Sequence, residues 1–372
     1  MGMIERKHGF LFCMAVCAAA LSGCIAPEAP NAEADIVRCL LDGNIITGST
    51  IDYYASYSES LNAYPLEIEV SRETDLRSLA PRFELSPGAV IVPESGTVRD
   101  FTRRQRYTVT SEDGQWQKTY SVSIHHTEVV DLPDILRFDT YRVENGYHVL
   151  YDGELDWCSG NRGFRMTNSG AAANEYPTYC SPTGGHTGGC AVMVTRSTGS
   201  LGAIGGKPIA AGNLFIGSFD ASTAMMDPLG STRFGVAYTR KPVAVEGWYR
   251  YEPGPKFYEN GEYTDRVDCG NMNFAFFERT GSKSLDGHTS NDNWTDGRIV
   301  AYGGIAAIVP AAEWTRFRVE LEYRAGKPVD EALLAAGGYG LTLVFSSSAG
   351  GGSFCGAVGS TLMIDDVSVI YE

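Results

Sequence analysis

Beyond its N-terminal stretch the 372-residue chain has no apolar run approaching the about 20 residues that a membrane-spanning helix requires. It has no Gly-x-Ser-x-Gly elbow, no His-Glu-x-x-His and no P-loop, so the common signatures of serine hydrolases, zinc proteases and nucleotide enzymes are missing. Cys-x-x-Cys and histidine pairs at ligand spacing are missing as well, which removes the usual zinc frameworks. Positive charge is scarce: 30 Lys and Arg stand against 45 Asp and Glu, for a net charge of −15. No basic stripe offsets that acidity, so the chain is not expected to bind nucleic acid or to adhere peripherally to anionic lipid. Long Ala/Leu/Glu/Lys stretches are also lacking, whereas Gly (43) and Tyr (20) are abundant. That balance favours strands joined by tight turns.

What is present begins with Arg6 and Lys7, an apolar run from about Phe10 to Leu21, and Leu-Ser-Gly-Cys at 21–24. This is the layout of a bacterial lipoprotein signal. The expectation is cleavage of 1–23, lipidation of Cys24, and attachment to a membrane through the acyl chains alone. Ile25 is not an inner-membrane retention signal of the aspartate kind, so an outer-membrane location is expected, facing the cell surface or the periplasm. Residues 24–35, rich in Pro, Ala and Glu, read as a tether. An oxidising compartment would permit disulfides among Cys39, Cys158, Cys180, Cys190, Cys269 and Cys355. Six cysteines allow 15 pairings, with a bridge within the Cys158, Cys180 and Cys190 group as the first guess.

Residues 36–127 read as an all-β module. Leu66-Glu-Ile-Glu-Val70 alternates as a half-buried strand does, and Tyr107 to Ile124 forms a hairpin around Asp113-Gly114. About ninety residues of this kind suggest an immunoglobulin-like β-sandwich. After a linker over Thr127–Asp134, residues 135–372 show short strand patterns between glycine-rich turns. From Trp314 to Arg324, Phe317, Val319, Leu321 and Tyr323 face one way and charged residues the other. Gly340–Ser348 and Thr361–Tyr371 read as further strands, and Pro328–Ala336 as the one short helix. The fold class is therefore all-β, a sandwich followed by a second sandwich or jelly roll.

The stretch Ile91 to Gly114 (IVPESGTVRDFTRRQRYTVTSEDG) resembles Ig-like modules that precede functional domains in surface lipoproteins of glycan-degrading Gram-negative bacteria. Six blocks in order resemble one family, the PCMD or carbohydrate-metabolism domain. They are DWCSGNRGF (156–164), IAAGNLFIGSF (209–219), DPLGSTRFG (227–235), GWYRYEPG (247–254), VFSSSAGGGSFCGAVGS (344–360) and IDDVSV (364–369). The resemblance implies a jelly roll like that of carbohydrate-binding modules over 135–372, with a role in glycan handling. It brings no catalytic residues with it.

Sugar recognition needs flat aromatic faces with amides and carboxylates beside them. Trp157 beside Asn161, Trp248 in a Trp-Tyr-Arg-Tyr run, and Trp294 beside Asp292 and Asn293 supply those pieces. If Trp248 and Arg250 face one way on a strand, Tyr249 and Tyr251 face the other, and the tyrosines are expected in the core. The expected partners are thus an oligo- or polysaccharide and other glycan-utilisation proteins. Two alternatives remain open. One is a glycoside hydrolase, drawing opposed carboxylates from Asp156, Asp268, Glu278, Glu320 and Glu322. The other is a structural surface or adhesin protein. His186 in the Gly-rich GGHTGGC (184–190) reads as part of a turn. A structural Ca²⁺ at the meeting of the domain's ends would use Asp139 with one of Asp365 and Asp366, Asp366 being the choice; alternation sends these two to opposite sides.

Overall fold

The structure, a computed structural model, describes residues 29–43, 45–49, 57–220, 224, 226–279 and 285–372. The signal, Cys24 and the first part of the expected tether lie outside the described residues. From Asn31 onward the tether is not free. Asn31 and Glu33 are tied into the first module, Ala34 is buried in its core, and Asp35 accepts from Lys118 Nζ (2.5 Å) and Tyr120 Oη (2.9 Å).

The first module has two layers. One is a five-stranded sheet in the order Ile46–Ser49, Tyr64–Val70, Gln117–His126, Gln105–Thr110, Val90–Val92. The other is the antiparallel pair Ile36–Leu40 and Arg82–Leu85. Leu66, Ile68 and Val70 are buried while Glu67 and Glu69 are not, as the alternation requires. The hairpin forms as read, with Tyr107 opposite Tyr120 and Gly114 at φ +70° in its turn. Its returning strand Gln117–His126 pairs in parallel with Tyr64–Val70, an arrangement that local pattern does not announce. Phe83 meets Tyr107 edge to face at 4.9 Å, closing one layer on the other.

The second domain is a sandwich of two antiparallel sheets in jelly-roll style. One sheet runs Thr178–Ser181, Cys190–Val194, Thr361–Tyr371, Pro242–Glu252, Ala311–Glu320. The other runs Asn213–Phe215, Tyr339–Ser346, Asn271–Glu278, Ile299–Ile305, Glu322–Tyr323, with Val236–Tyr238 also on Tyr339–Ser346. Tyr249, Tyr251, Phe317, Leu362 and Ile364 from the first sheet meet Phe274, Phe276, Leu343 and Phe345 from the second. Both tyrosines of the Trp-Tyr-Arg-Tyr run are thus in the core. The helix Glu331–Ala335 is capped by Asp330, which accepts from the N–H groups of Ala332 and Leu333. Three further single-turn helices, Asn161–Phe164, Gly199–Ile204 and Gly287–Asn291, are too short to carry a periodic signal.

The segment between the domains is zipped rather than loose. Val129 bridges to Ala237, Leu132 and Leu136 are buried in the second core, and Leu136 N–H donates to Val367 O at 2.7 Å. Arg279 spans the junction to Glu69 at 2.8 Å. The six cysteines Cys39, Cys158, Cys180, Cys190, Cys269 and Cys355 are all unbridged. Cys180 faces the inner core and Cys190 the outer side of the same sheet, so the first-guess group does not supply that pair.

Candidate functional site

The two outer faces of the second sandwich differ. Over the six-stranded sheet lies a cover made from Gly217–Phe219, Thr232–Phe234, Leu285–Asp286 and the segment after it. Phe215, Phe234, Phe277, Ile299 and Val344 form an apolar layer beneath this cover, and Trp294 completes the layer at 3% exposure. Its ring lies 5.3 Å from Phe234 and 5.9 Å from Tyr302. Trp294 is therefore a core residue, contrary to its polar surroundings in sequence. Asp292 and Asn293 are exposed without a tryptophan face beside them, so the sugar-contacting trio expected there does not assemble.

Trp157 and Asn161 are also corrected. Trp157 is 3% exposed, packs on Phe138 and donates Nε1–H to Asp152 Oδ2 at 2.8 Å. Burial raises the Asp152 carboxyl, against the pull of Trp157 and the N–H groups of Arg137 and Phe138. Asn161 is fully buried, and its amide closes a two-way bond with the Thr178 backbone (2.6 and 3.0 Å). These groups hold strands together and are closed to a ligand.

The outer face of the five-stranded sheet has only a short cover. Glu246, Trp248 and Arg250 project from Pro242–Glu252 away from the core, and Trp314, Arg316 and Arg318 project beside them. Tyr179, Trp314 and Met363 flank the buried trio Cys190, Val192 and Val194. The loop after Ser181 folds over one end of this face. There the His186 ring stacks on Trp248 (centroids 4.0 Å, 11° between planes) and meets Trp314 edge-on at 6.4 Å. Trp248 and Trp314 remain half-buried, and the His186 side chain is 31% exposed. The result is an aromatic platform of three rings with polar groups at its rim.

A bulge sets that loop. Around Asp365 and Asp366 the pairing with Pro242–Glu252 shifts register, and Asp366 takes φ +46°. Strict alternation is broken, and both carboxylates turn to the loop. Asp365 accepts the Thr187 N–H at 2.9 Å, while Asp366 accepts from Thr187 Oγ1–H (2.7 Å) and Arg137 Nη1 (3.3 Å) and pairs with His186 Nδ1 (2.8 Å). Asp365 is fully buried, and desolvation pushes its carboxyl up to about 6. Gly185 is needed here: a Cβ would lie 1.8 Å from Gly189 O and 2.7 Å from Asp365 Oδ2.

Asp139 joins the same loop, accepting Gly189 N–H at 2.6 Å. Asp139 and Asp366 thus converge on one loop, but their carboxylates face N–H and O–H donors instead of a shared cation position. Among the described residues no group of three or more His, Cys, Asp and Glu side chains is disposed to hold a metal.

The acids considered for hydrolysis are largely engaged elsewhere. Asp156 holds Arg142 through two bonds (2.7 and 2.6 Å), which keeps its carboxyl below the usual range. Asp268 is buried, and its Oδ2 alone accepts from Ser348 Oγ, Ala357 N and Ser360 Oγ at 2.6–2.7 Å. Glu320 pairs with Arg318 at 2.7 Å. Glu278 and Glu322 lie on strands of the six-stranded sheet, away from the platform.

Of the residues expected to contact sugar, Trp248 is the one that lies on this half-exposed face, and Asp366, expected as a metal ligand, stands at its rim. His186, Trp314, Arg250 and Asp365 are the additions. The alternation that sent Tyr249 and Tyr251 inward already implied an outward Arg250, and Trp314 begins the alternating run that ends at Arg324.

Residues 61–124 match the family described as SGBP, N-terminal, and residues 137–370 match PCMD, the putative carbohydrate metabolism domain. A crystal structure described as a putative glycoside hydrolase from Bacteroides thetaiotaomicron is 40% identical, covers 93% of this chain and 99% of its own, and superposes with TM-score 0.64. One described likewise from Bacteroides vulgatus is 43% identical, with TM-score 0.62, covering 65% of this chain and 99% of its own. No curated protein matches the chain. With six ordered sequence blocks, a matching fold and a family match across the second sandwich, the chain belongs to the PCMD family of carbohydrate-related domains.

Proposed function

We propose that the second domain binds a carbohydrate non-catalytically on the outer face of its five-stranded sheet. The observation that carries this reading is the Trp248–His186–Trp314 platform, half-exposed on a sheet face whose counterpart across the sandwich is covered. A pyranose presents an apolar face to such rings and hydroxyls to the groups around them. Arg137, Thr187 and Asp366 stand at the rim as donors and acceptors. In this reading the first module is a spacer, Cys24 is the lipid attachment point at the outer membrane, and neighbouring glycan-utilisation proteins receive the captured glycan.

A second reading, glycan hydrolysis, is favoured by the description of the two relatives. Against it stand Asp156, Asp268 and Glu320, each committed to structural partners. One experiment separates the two. The chain from residue 25 on is screened on a glycan array and, with the same glycans, for reducing-sugar release. Saturable binding without release, lost in Trp248→Ala and Trp314→Ala, is the expected result. Release of sugar would replace binding with hydrolysis, and silence in both assays would leave a structural role.

A further inference from the structure

Arg250 stands apart from the other arginines on its sheet face. Arg316 and Arg318 both pair with Glu246 at 3.0 Å, and Arg137 reaches Asp366. Arg250 is half-buried, yet its guanidinium makes no hydrogen bond or ion pair among the described residues. Its surroundings are apolar and aromatic: Trp248 two residues before it on the same face, Met363 directly opposite on one neighbouring strand, and Trp314 on the other side. The acids nearest the platform are committed to other partners, and exposed Glu313, in the bulge opposite, makes no ion pair with Arg250. Glu246 serves two arginines, Asp366 serves His186, Thr187 and Arg137, and Asp365 is buried against Thr187 N–H. Glu252, next on the same face along the strand, does not pair with it either.

The stem of Arg250 is half-buried while its guanidinium nitrogens stay open to solvent, so the fork stands unpaired beside the platform and accessible to an incoming acceptor. Its planar fork matches a carboxylate through two parallel N–H···O bonds. We infer that the platform takes an acidic glycan, with the carboxylate of a uronic acid on Arg250 and the ring of that sugar or its neighbour against Trp248 and Trp314. This inference rests on the carbohydrate-binding reading above and adds the charge class of the ligand. The carboxylate replaces the missing acceptor, and the apolar neighbours exclude water from the pair and so strengthen it.

The test uses the chain from residue 25 on and titration calorimetry at physiological salt. The probes are polygalacturonate, alginate and glucuronoxylan, each beside its carboxyl-reduced form, with dextran sulfate and a panel of neutral glycans as controls. At least one uronan is expected to bind about tenfold or more tightly than its reduced form. Arg250→Gln should bring that uronan down to the affinity of the reduced form, while Arg250→Lys recovers part of the difference. Trp248→Ala should weaken both forms. Equal binding of uronan and reduced form, or binding of neutral glycans alone, would overturn the acidic-ligand inference and leave the carbohydrate reading intact. Binding confined to dextran sulfate would replace the carboxylate with a sulfate ester and overturn it as well. Absence of binding to any glycan would remove both readings together.

Discussion

The outer faces of the two sheets in the second domain start from the same raw material and end differently. Each has a tryptophan packed at it whose neighbours in sequence are charged and polar. Over the six-stranded sheet a cover of small strands and a helical turn buries Trp294 with Phe234 and Tyr302. Over the five-stranded sheet the cover is one glycine-rich loop, whose His186 reaches Trp248 and stops. The lesson is that a tryptophan's exposure is decided by which distant segments of chain pack against it, and its sequence neighbours carry little of that information.

This contrast can be broken most sharply at the buried tryptophans, one under the cover and one between the sheets. Trp294→Ala and Trp157→Ala should each cost about 3–5 kcal/mol of stability, read as a lower denaturation midpoint, with glycan affinity of the surviving folded protein unchanged. A stability loss below about 1 kcal/mol in Trp294→Ala would mean that the cover is loose and the two faces are alike, while Trp157→Ala, in the core between the sheets, serves as the reference for a fully buried ring. Next comes the polar knot under Cys269–Ser360. Asp268→Ala leaves two hydroxyls and two N–H groups without their acceptor, and about 3 kcal/mol should be lost. Substitution of an exposed carboxylate such as Glu322 should move the midpoint far less.

A smaller effect sharpens the open side. The folded-state pKa of Asp365 is raised, to about 6, above its unfolded value, so its neutral form is the one the fold favours. Its contribution is therefore most favourable at low pH and is lost as pH rises through about 6. Asp365→Asn removes this titration, so the stability of the parent relative to the variant should increase as pH is lowered from 7 to 5, in paired denaturation curves. A difference that stays flat, or falls, would mean that the carboxylate is wetter than its burial under the loop indicates. The smallest effect concerns thiols. Burial pushes Cys39, Cys158, Cys180 and Cys190 up to about 12, whereas Cys355 is half-exposed, so a neutral-pH alkylating reagent should label Cys355 well before those four. Peptide mapping after brief labelling reads the order.

Much of the fold was legible because it rests on period-two patterns. The runs at Leu66–Val70, Tyr107–Ile124 and Phe317–Val319 bury the residues that alternation assigns to the core. The placement of Tyr249 and Tyr251 followed from the same rule. Less of the site was legible. The bulge at Asp365–Asp366 defeats alternation because one register shift turns both side chains to a single loop, and nothing in Ile-Asp-Asp-Val marks where a strand will slip. His186 looked like turn filler because a glycine-rich segment shows no partner until the sheet beneath it exists. The tether was misjudged from Asn31 on for a related reason: Ala34 and Asp35 acquire their burial and bonds from Tyr120 and Ser86, residues far along the chain.

The parallel pairing of Tyr64–Val70 with Gln117–His126 has a mechanical consequence. The strand Gln117–His126 is held on both flanks and leads directly into Thr127 and the zipped junction at Val129 and Ala237. A pull on the second domain draws this strand lengthwise between its neighbours. The bonds on both flanks then bear the load together in shear instead of opening one at a time from an end. The first module is thereby built to resist extension along this strand.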